Sequence, residues 1–271
     1  MIIPLLIFFG KAREIVYYRE LEKRSADSIC QNYQASYSWT KPNQCYVPGK
    51  DCEYGEHNQE DMEWTAKRVN FFRQIVGLNE IPQSTNTELL NQTNQACLIM
   101  DKNSIFDHDL NNKSLKCWNE AGKTGAENSN IYVTSGSACS TDSIPSYIDD
   151  SSTSSLGHRR WILNPPLSEV VSGVGEKHSA LLIKGMPQKS SVISKFLAYP
   201  PPGPVPSDII YSNWSFSRNY TEVNSDQHNK MPKDTIVRIK CNKSVISVST
   251  TLLDSNPSMY PGIIKFDVPK I

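Results

Sequence analysis

Apolar positions recur at three- and four-residue spacing in two stretches of the first half of the chain. From Glu60 to Val76, Trp64, Phe71, Phe72, Ile75 and Val76 form one stripe, interrupted by Arg68, and Gly77 supplies a natural stop. This spacing predicts a helix. A second predicted helix starts at Asn86 or Thr87 and runs to about Lys102, with Glu88 in its first turn and Leu89, Leu90, Ala96, Cys97 and Met100 inward. A third segment, Leu115 to Ala121, reads as helical and is broken by Gly122-Lys-Thr-Gly125. Ser140 to Tyr147 opens a fourth, capped by Thr141 or Asp142.

The pattern then changes. Trp161 to Leu163, stopped by Asn164-Pro165-Pro166, reads as a short buried strand with His158 at its entrance, where Gly157 allows a bend. Val170 to Val174, Ala180 to Ile183 and Val192 to Tyr199 are β-branched or apolar runs separated by turns. A proline run, Pro200 to Pro206, follows as a stiff connector. Ile236 to Lys240, Ser244 to Thr251 and Ile263 to Val268 close the chain as further strands. Helices first and strands after predict an α+β fold.

The N-terminus needs its own reading. Met1 to Phe9 is almost wholly apolar and precedes Gly10-Lys-Ala12, the form of a very short secretory signal over residues 1–12; a buried strand is the alternative. Residues 13–59 are polar and aperiodic and read as an extended, disulfide-pinned leader. A main domain over 60–200, a proline-rich connector over 201–217 and a β-rich appendage over 218–271 complete the expected organisation.

Composition narrows the classes. In 271 residues, 28 basic and 28 acidic side chains cancel, so no global field draws the chain to nucleic acid, and no stripe of basic residues interleaves with aromatics. No apolar run is long enough to span a membrane. Seven cysteines (30, 45, 52, 97, 117, 139, 241) and sequons at Asn91, Asn112, Asn213, Asn219 and Asn242 favour export as a disulfide-bonded glycoprotein. The odd count leaves at least one thiol free or paired with another chain. No Cys-x-x-Cys motif, Gly-x-Ser-x-Gly elbow or phosphate-binding glycine loop is present.

Of the five histidines, His57, His178 and His228 lie in polar or turn segments and are expected on the surface. His108 and His158 flank ordered elements, with Glu127 between them in an Asn-rich stretch. Two imidazoles and a carboxylate meeting in a cleft suit Zn²⁺ or another divalent metal with an open position for water, or serve as a metal-free acid and base.

Phe106-Asp-His108, Gly125-Ala-Glu127-Asn128 and Gly157-His158 occur in an order that resembles the CAP superfamily of cysteine-rich secretory proteins, venom antigens and pathogenesis-related proteins. The helix bearing Arg68, Asn70 and Arg73 is similar to the family's first helix. The Gly157-His-Arg-Arg-Trp161 segment, read as a strand, and Ala198 to Pro206 with Trp214-Ser-Phe-Ser217 look closest to a microbial-type branch. The resemblance covers roughly residues 60–217. It implies an α-β-α three-layer sandwich, a secreted protein, and a cleft lined by two histidines and two acids that can hold a divalent metal. His108, Glu127 and His158 match three of these four, and Asp149 and Asp150 are the candidates for the fourth.

Family members are assigned sterol or lipid binding, channel blockade, defence and proteolysis, so the fold does not fix the activity. Three functions follow as expectations: a secreted module binding an extracellular lipid, glycan or protein; a zinc-dependent hydrolase using His108, Glu127 and His158; and a cell-surface structural or adhesive protein.

Overall fold

A computed structural model describes residues 5–8, 24–186, 196–218, 236–241, 244–248, 250–253 and 263–267. The elements in order are β1 (Leu5–Phe8), α1 (Ala26–Ser36), β2 (Tyr46–Val47), β3 (Glu56–His57), α2 (Gln59–Ile75), α3 (Thr87–Asn103), α4 (Glu120–Asn128), β4 (Ser129–Val133), α5 (Ser140–Asp149), α6 (Gly157–Ile162), β5 (Ser172–Val174), β6 (His178–Leu182), β7 (Phe196–Tyr199), β8 (Asn213–Arg218), β9 (Ile236–Cys241), β10 (Ser244–Ser247), β11 (Thr250–Leu253) and β12 (Ile263–Asp267). The mixture of helix and sheet is that of an α+β protein.

The two amphipathic helices form where the pattern places them. Asn58 caps α2 by accepting from Glu60 N, and Asn86 caps α3 by accepting from Glu88 N and Leu89 N. The inner stripe of α2 packs with Ile144, Tyr147 and Ile148 of α5 and with Ile162 and Leu163. A three-stranded antiparallel sheet of order β4-β6-β5 lies between helices. On β6, Ala180 joins a cluster with Ala96, Ile99 and Met100 of α3 and Ala126 of α4, while the next residue, Leu181, joins the cluster of α2 and α5. Alternate side chains of a strand point to opposite faces, so helices cover the sheet on both sides.

Several expectations are corrected. The 13–59 leader is not wholly extended, because Ser25 caps α1, and Tyr33 of that helix and Tyr37 just after it pack on Phe71 and Phe72. Its pinning is real: Cys45 pairs with Cys139 and Cys52 with Cys117. Among the described residues Cys30 and Cys97 are free, one exposed and one buried. Gly122 and Gly125 do not break a helix but lie inside α4, which begins at Glu120 rather than Leu115. A Cβ at Gly122 would stand 2.9 Å from the Gln95 carbonyl, and one at Gly125 would collide with the Gln92 carbonyl, so these glycines let α4 lie close against α3. The segment Gly157–Ile162 is a helix, not a strand. Arg159, Arg160, Trp161 and Ile162 are all buried, and all-round burial removes the helical period that would have announced it.

Beyond this unit, β7 and β8 form a four-stranded antiparallel sheet with the C-terminal strands in the order β11-β12-β8-β7. Part of the segment read as connector is therefore the strand β8. Leu5–Phe8 pairs antiparallel with β9, which in turn pairs with β10; the rest of the segment 1–12 lies outside the described residues. Val192 to Lys195 of the expected strand, immediately before β7, lie outside the described residues. Of the sequons, Asn91 and Asn112 are exposed and Asn213 is buried, while Asn219 and Asn242 lie outside the described residues. Among the described residues, no helix is long and apolar enough to cross a membrane.

Candidate functional site

The short helix α6 carries His158, and six residues make too little helix to hold themselves. Three buried side chains fix it. At the N-terminal end Asp150, from the residue after α5, accepts from Arg159 N at 3.3 Å. At the C-terminal end Arg73 of α2, fully buried, donates to the carbonyls of Ile162 and Asn164 at 2.9 Å each, and to Asn79 O at 3.1 Å. A cation at the carbonyl end complements the helix dipole. Arg159 in turn donates to Ile148 O and Asp149 O at the end of α5 and to Ser215 Oγ of β8, and stacks 4.7 Å over the Tyr199 ring. Arg159 and Arg160 are both buried, and Arg159 ties α5 and α6 to β7 and β8. Burial pushes the Arg159 pKa down.

Asp150 also fixes the histidine. Its Oδ1 lies 2.8 Å from His158 Nδ1 and accepts from Thr153 Oγ1 at 2.8 Å. The His158 ring stacks on Tyr147 at 5.4 Å, and the Tyr147 hydroxyl donates to Asn130 O. His108 sits in the loop after α3, which Asn103 closes by bonding both main-chain groups of Lys116 and Trp118 closes by donating to Leu110 O. Its Nδ1 lies 2.8 Å from Ala126 O. A carbonyl only accepts, so His108 Nδ1 carries the proton and, in the neutral ring, Nε2 carries the lone pair. The carboxylate of Asp150 imposes the same tautomer on His158. Neither Nε2 has a hydrogen-bond partner among the described residues.

His108 and His158 line one cleft of about 450 Å³ with Phe106, Ile131, Tyr132, Val133, Tyr147 and Thr153. The sequence-selected carboxylate is elsewhere. Glu127 does not line this cleft; it is exposed on α4, 3.0 Å from Lys123 Nζ. Asp149 accepts from Ser151 Oγ near the surface, and Asp150 is occupied with His158, Arg159 N and Thr153. The cleft therefore brings together the two imidazoles without Glu127; the acidic residue in its lining is Asp107, whose Oδ1 accepts from Asp109 N at 2.9 Å.

Two other clusters were not foreseen. His57 and His178, expected on the surface, are both buried, and His228 lies outside the described residues. Asp101 of α3 accepts from Glu176 N, Lys177 N and His178 Nδ1, which closes the β5–β6 turn. Asp61, fully buried on α2, accepts from His57 Nε2 at 2.8 Å, Ser140 Oγ at 2.7 Å, Ser140 N at 2.8 Å and Thr141 N at 3.1 Å. Its place is structural: Cys139 offers no side-chain cap to α5, so a carboxylate from α2 does so in place of the expected Thr141 or Asp142. Pro145 inside α5 cannot bond the Thr141 carbonyl, and Arg68 donates to it at 2.9 Å instead. The set His57, Asp61 and Ser140 has the composition of a hydrolytic triad, but all three are buried and Ser140 gives its proton to Asp61 directly. Cys45, Asp61 and Cys139 also stand close enough to hold a metal, yet both sulfurs are taken up in one disulfide.

Burial alone would raise the Asp61 pKa, but the hydrogen bonds from His57, Ser140 and Thr141 prevail and hold it below the usual carboxylate range. A group depressed on folding stabilises above its unfolded pKa of about 3.9, and this is lost as pH falls through the folded value. Asp61→Asn is expected to lower stability by about 3 kcal/mol at pH 7, and the gap from the parent should narrow below about pH 4. Thermal unfolding across pH reads both; a gap that stays constant into strong acid contradicts it.

Comparison with family models, with curated proteins and with solved structures finds no match.

Proposed function

We propose that this chain is an exported protein of the CAP type, whose α-β-α sandwich carries a cleft that binds an extracellular lipid, glycan or protein. Helices on both faces of the β4-β6-β5 sheet support the sandwich, and two disulfides fit an oxidising compartment. The observation that carries the binding reading is the shared cleft itself: His108 and His158, each pinned through Nδ1, set among Phe106, Ile131, Tyr132, Val133 and Tyr147. Apolar walls with a few fixed polar groups are the chemistry of a ligand site.

Phe106 is 52% exposed, so its truncation leaves the core intact. With a fluorescent sterol, a labelled chitin oligosaccharide and labelled hexapeptides as probes, the full chain is expected to bind one class saturably, and Phe106→Ala to weaken it about tenfold. Failure of every probe, or full affinity in the variant, overturns the reading.

A divalent metal is the second reading, favoured by the Nδ1 anchors, since metal-binding histidines commonly hand that proton to a carboxylate or carbonyl. Two nitrogen donors fit. The carboxylates expected to join them do not, because Glu127 pairs with Lys123 and Asp150 holds His158; Asp107 lines the cleft, but no cluster of three ligand atoms forms there among the described residues. A bound ion would act as a Lewis acid on whatever completes its coordination; the present donor set supports no hydrolytic step.

A further inference from the structure

The main chain along one wall of the cleft has unused hydrogen-bonding capacity. β4 is an edge strand, paired with β6 and with no strand on its other side among the described residues. Its ladder phase follows from its two ends: Thr134 N donates to Lys177 O and Ile183 N donates to Asn128 O, both at 2.9 Å. In an antiparallel pair such bonds recur at every second residue. Asn130 and Tyr132 therefore turn their main-chain groups toward β6, and Ile131 and Val133 turn theirs away. No hydrogen bond to the main chain of Ile131 or Val133 is made elsewhere among the described residues. Ile131 is 4% exposed, with its side chain in the cluster of α3 and α4, and it lines the cleft.

Edges are normally protected by charge, proline or a bulge. The Ile131-Tyr-Val133 edge has none of these; Val133 within it, at 42%, and Phe106 beside it, at 52%, are two of three large apolar side chains exposed among the described residues. The same two residues also wall a neighbouring cleft of about 280 Å³ lined by Asp101, Ile105 and His178. We propose that the ligand of the cleft is an extended peptide that adds to β4 as a further strand, its main chain bonding Ile131 and Val133 and its apolar side chains resting on Phe106 and Val133. Donors and acceptors alternating at two-residue spacing match another extended polypeptide; a sterol or sugar lacks that repeat. This inference rests on the binding reading of the cleft and names its ligand class.

Fluorescence anisotropy with the full chain and a pool of labelled hexapeptides, each with valine, isoleucine or threonine at alternate positions, tests it. Saturable binding is expected. Val133→Pro removes an outward N–H without touching the ladder and should weaken binding about tenfold or more, while Val133→Thr keeps the N–H and the affinity. N-methylation of the peptide provides a test that leaves the protein unaltered. Methylating the amides of one parity should weaken binding about tenfold, and methylating those of the other should not. Equal effects from both parities overturn strand addition, as does failure of the pool to bind. Sterol or oligosaccharide binding without peptide binding overturns this proposal and leaves the cleft reading standing; failure of all three probes overturns both.

Discussion

Replacing Arg73 with methionine is expected to lower the unfolding free energy by about 3–5 kcal/mol. The stem keeps its packing, but the carbonyls of Asn79, Ile162 and Asn164 lose a buried charged donor. Lysine should not restore stability, because one ammonium on a flexible stem does not reproduce a planar fork placed on separate carbonyls. The loss should also reach the cleft, since Arg73 holds the end of the helix that carries His158. Denaturant unfolding and probe affinity measured together check both parts. A methionine variant about as stable as the parent would show that α6 is held some other way.

Removing the bridge between Cys45 and Cys139 should cost nearly as much. The two cysteines are 94 residues apart, but the Cys52–Cys117 bridge lies inside that loop and shortens it to about 30 residues, which corresponds to roughly 3–4 kcal/mol of lost chain entropy in the unfolded state. The paired serine variant is expected to unfold at correspondingly lower denaturant, and the parent to behave likewise under a reducing agent strong enough to open the bridge. Insensitivity of the oxidised and reduced proteins alike would contradict a structural role for the bridge. The same result would weaken the case for an oxidising compartment.

Much of the helical framework was legible because α2 and α3 are amphipathic and carry their own asparagine caps, so their ends fall within a residue or so of where the pattern sets them. Periodicity failed where burial is complete. Trp161 and Ile162 look like a buried strand for the same reason that they can form a buried helix: no polar face marks the turn. Gly122 and Gly125 were misread because a glycine that breaks a helix and one that admits a neighbouring helix are the same letter.

The candidate site was half legible. His108 and His158 stood out beside ordered elements and meet in one cleft, but Glu127 does not line that cleft and pairs with Lys123. The acid that matters to His158 is Asp150, eight residues before it in the chain and placed by the turn that ends α5. The burial of His178 had no local signal, since its partner Asp101 is 77 residues away; His57 has its partner Asp61 only four residues on, at the start of α2.

The account stands on two imidazoles, each fixed through Nδ1, leaving Nε2 to one common cleft. Ring nitrogen-15 spectra of histidine-labelled protein, recorded at neutral pH before and after one equivalent of Zn²⁺, test this most directly. Both rings should begin as the Nδ1–H tautomer, and their Nε2 signals should move together as the ion is added. A proton on either Nε2 of the free neutral ring, or a shift of one histidine without the other, would contradict it.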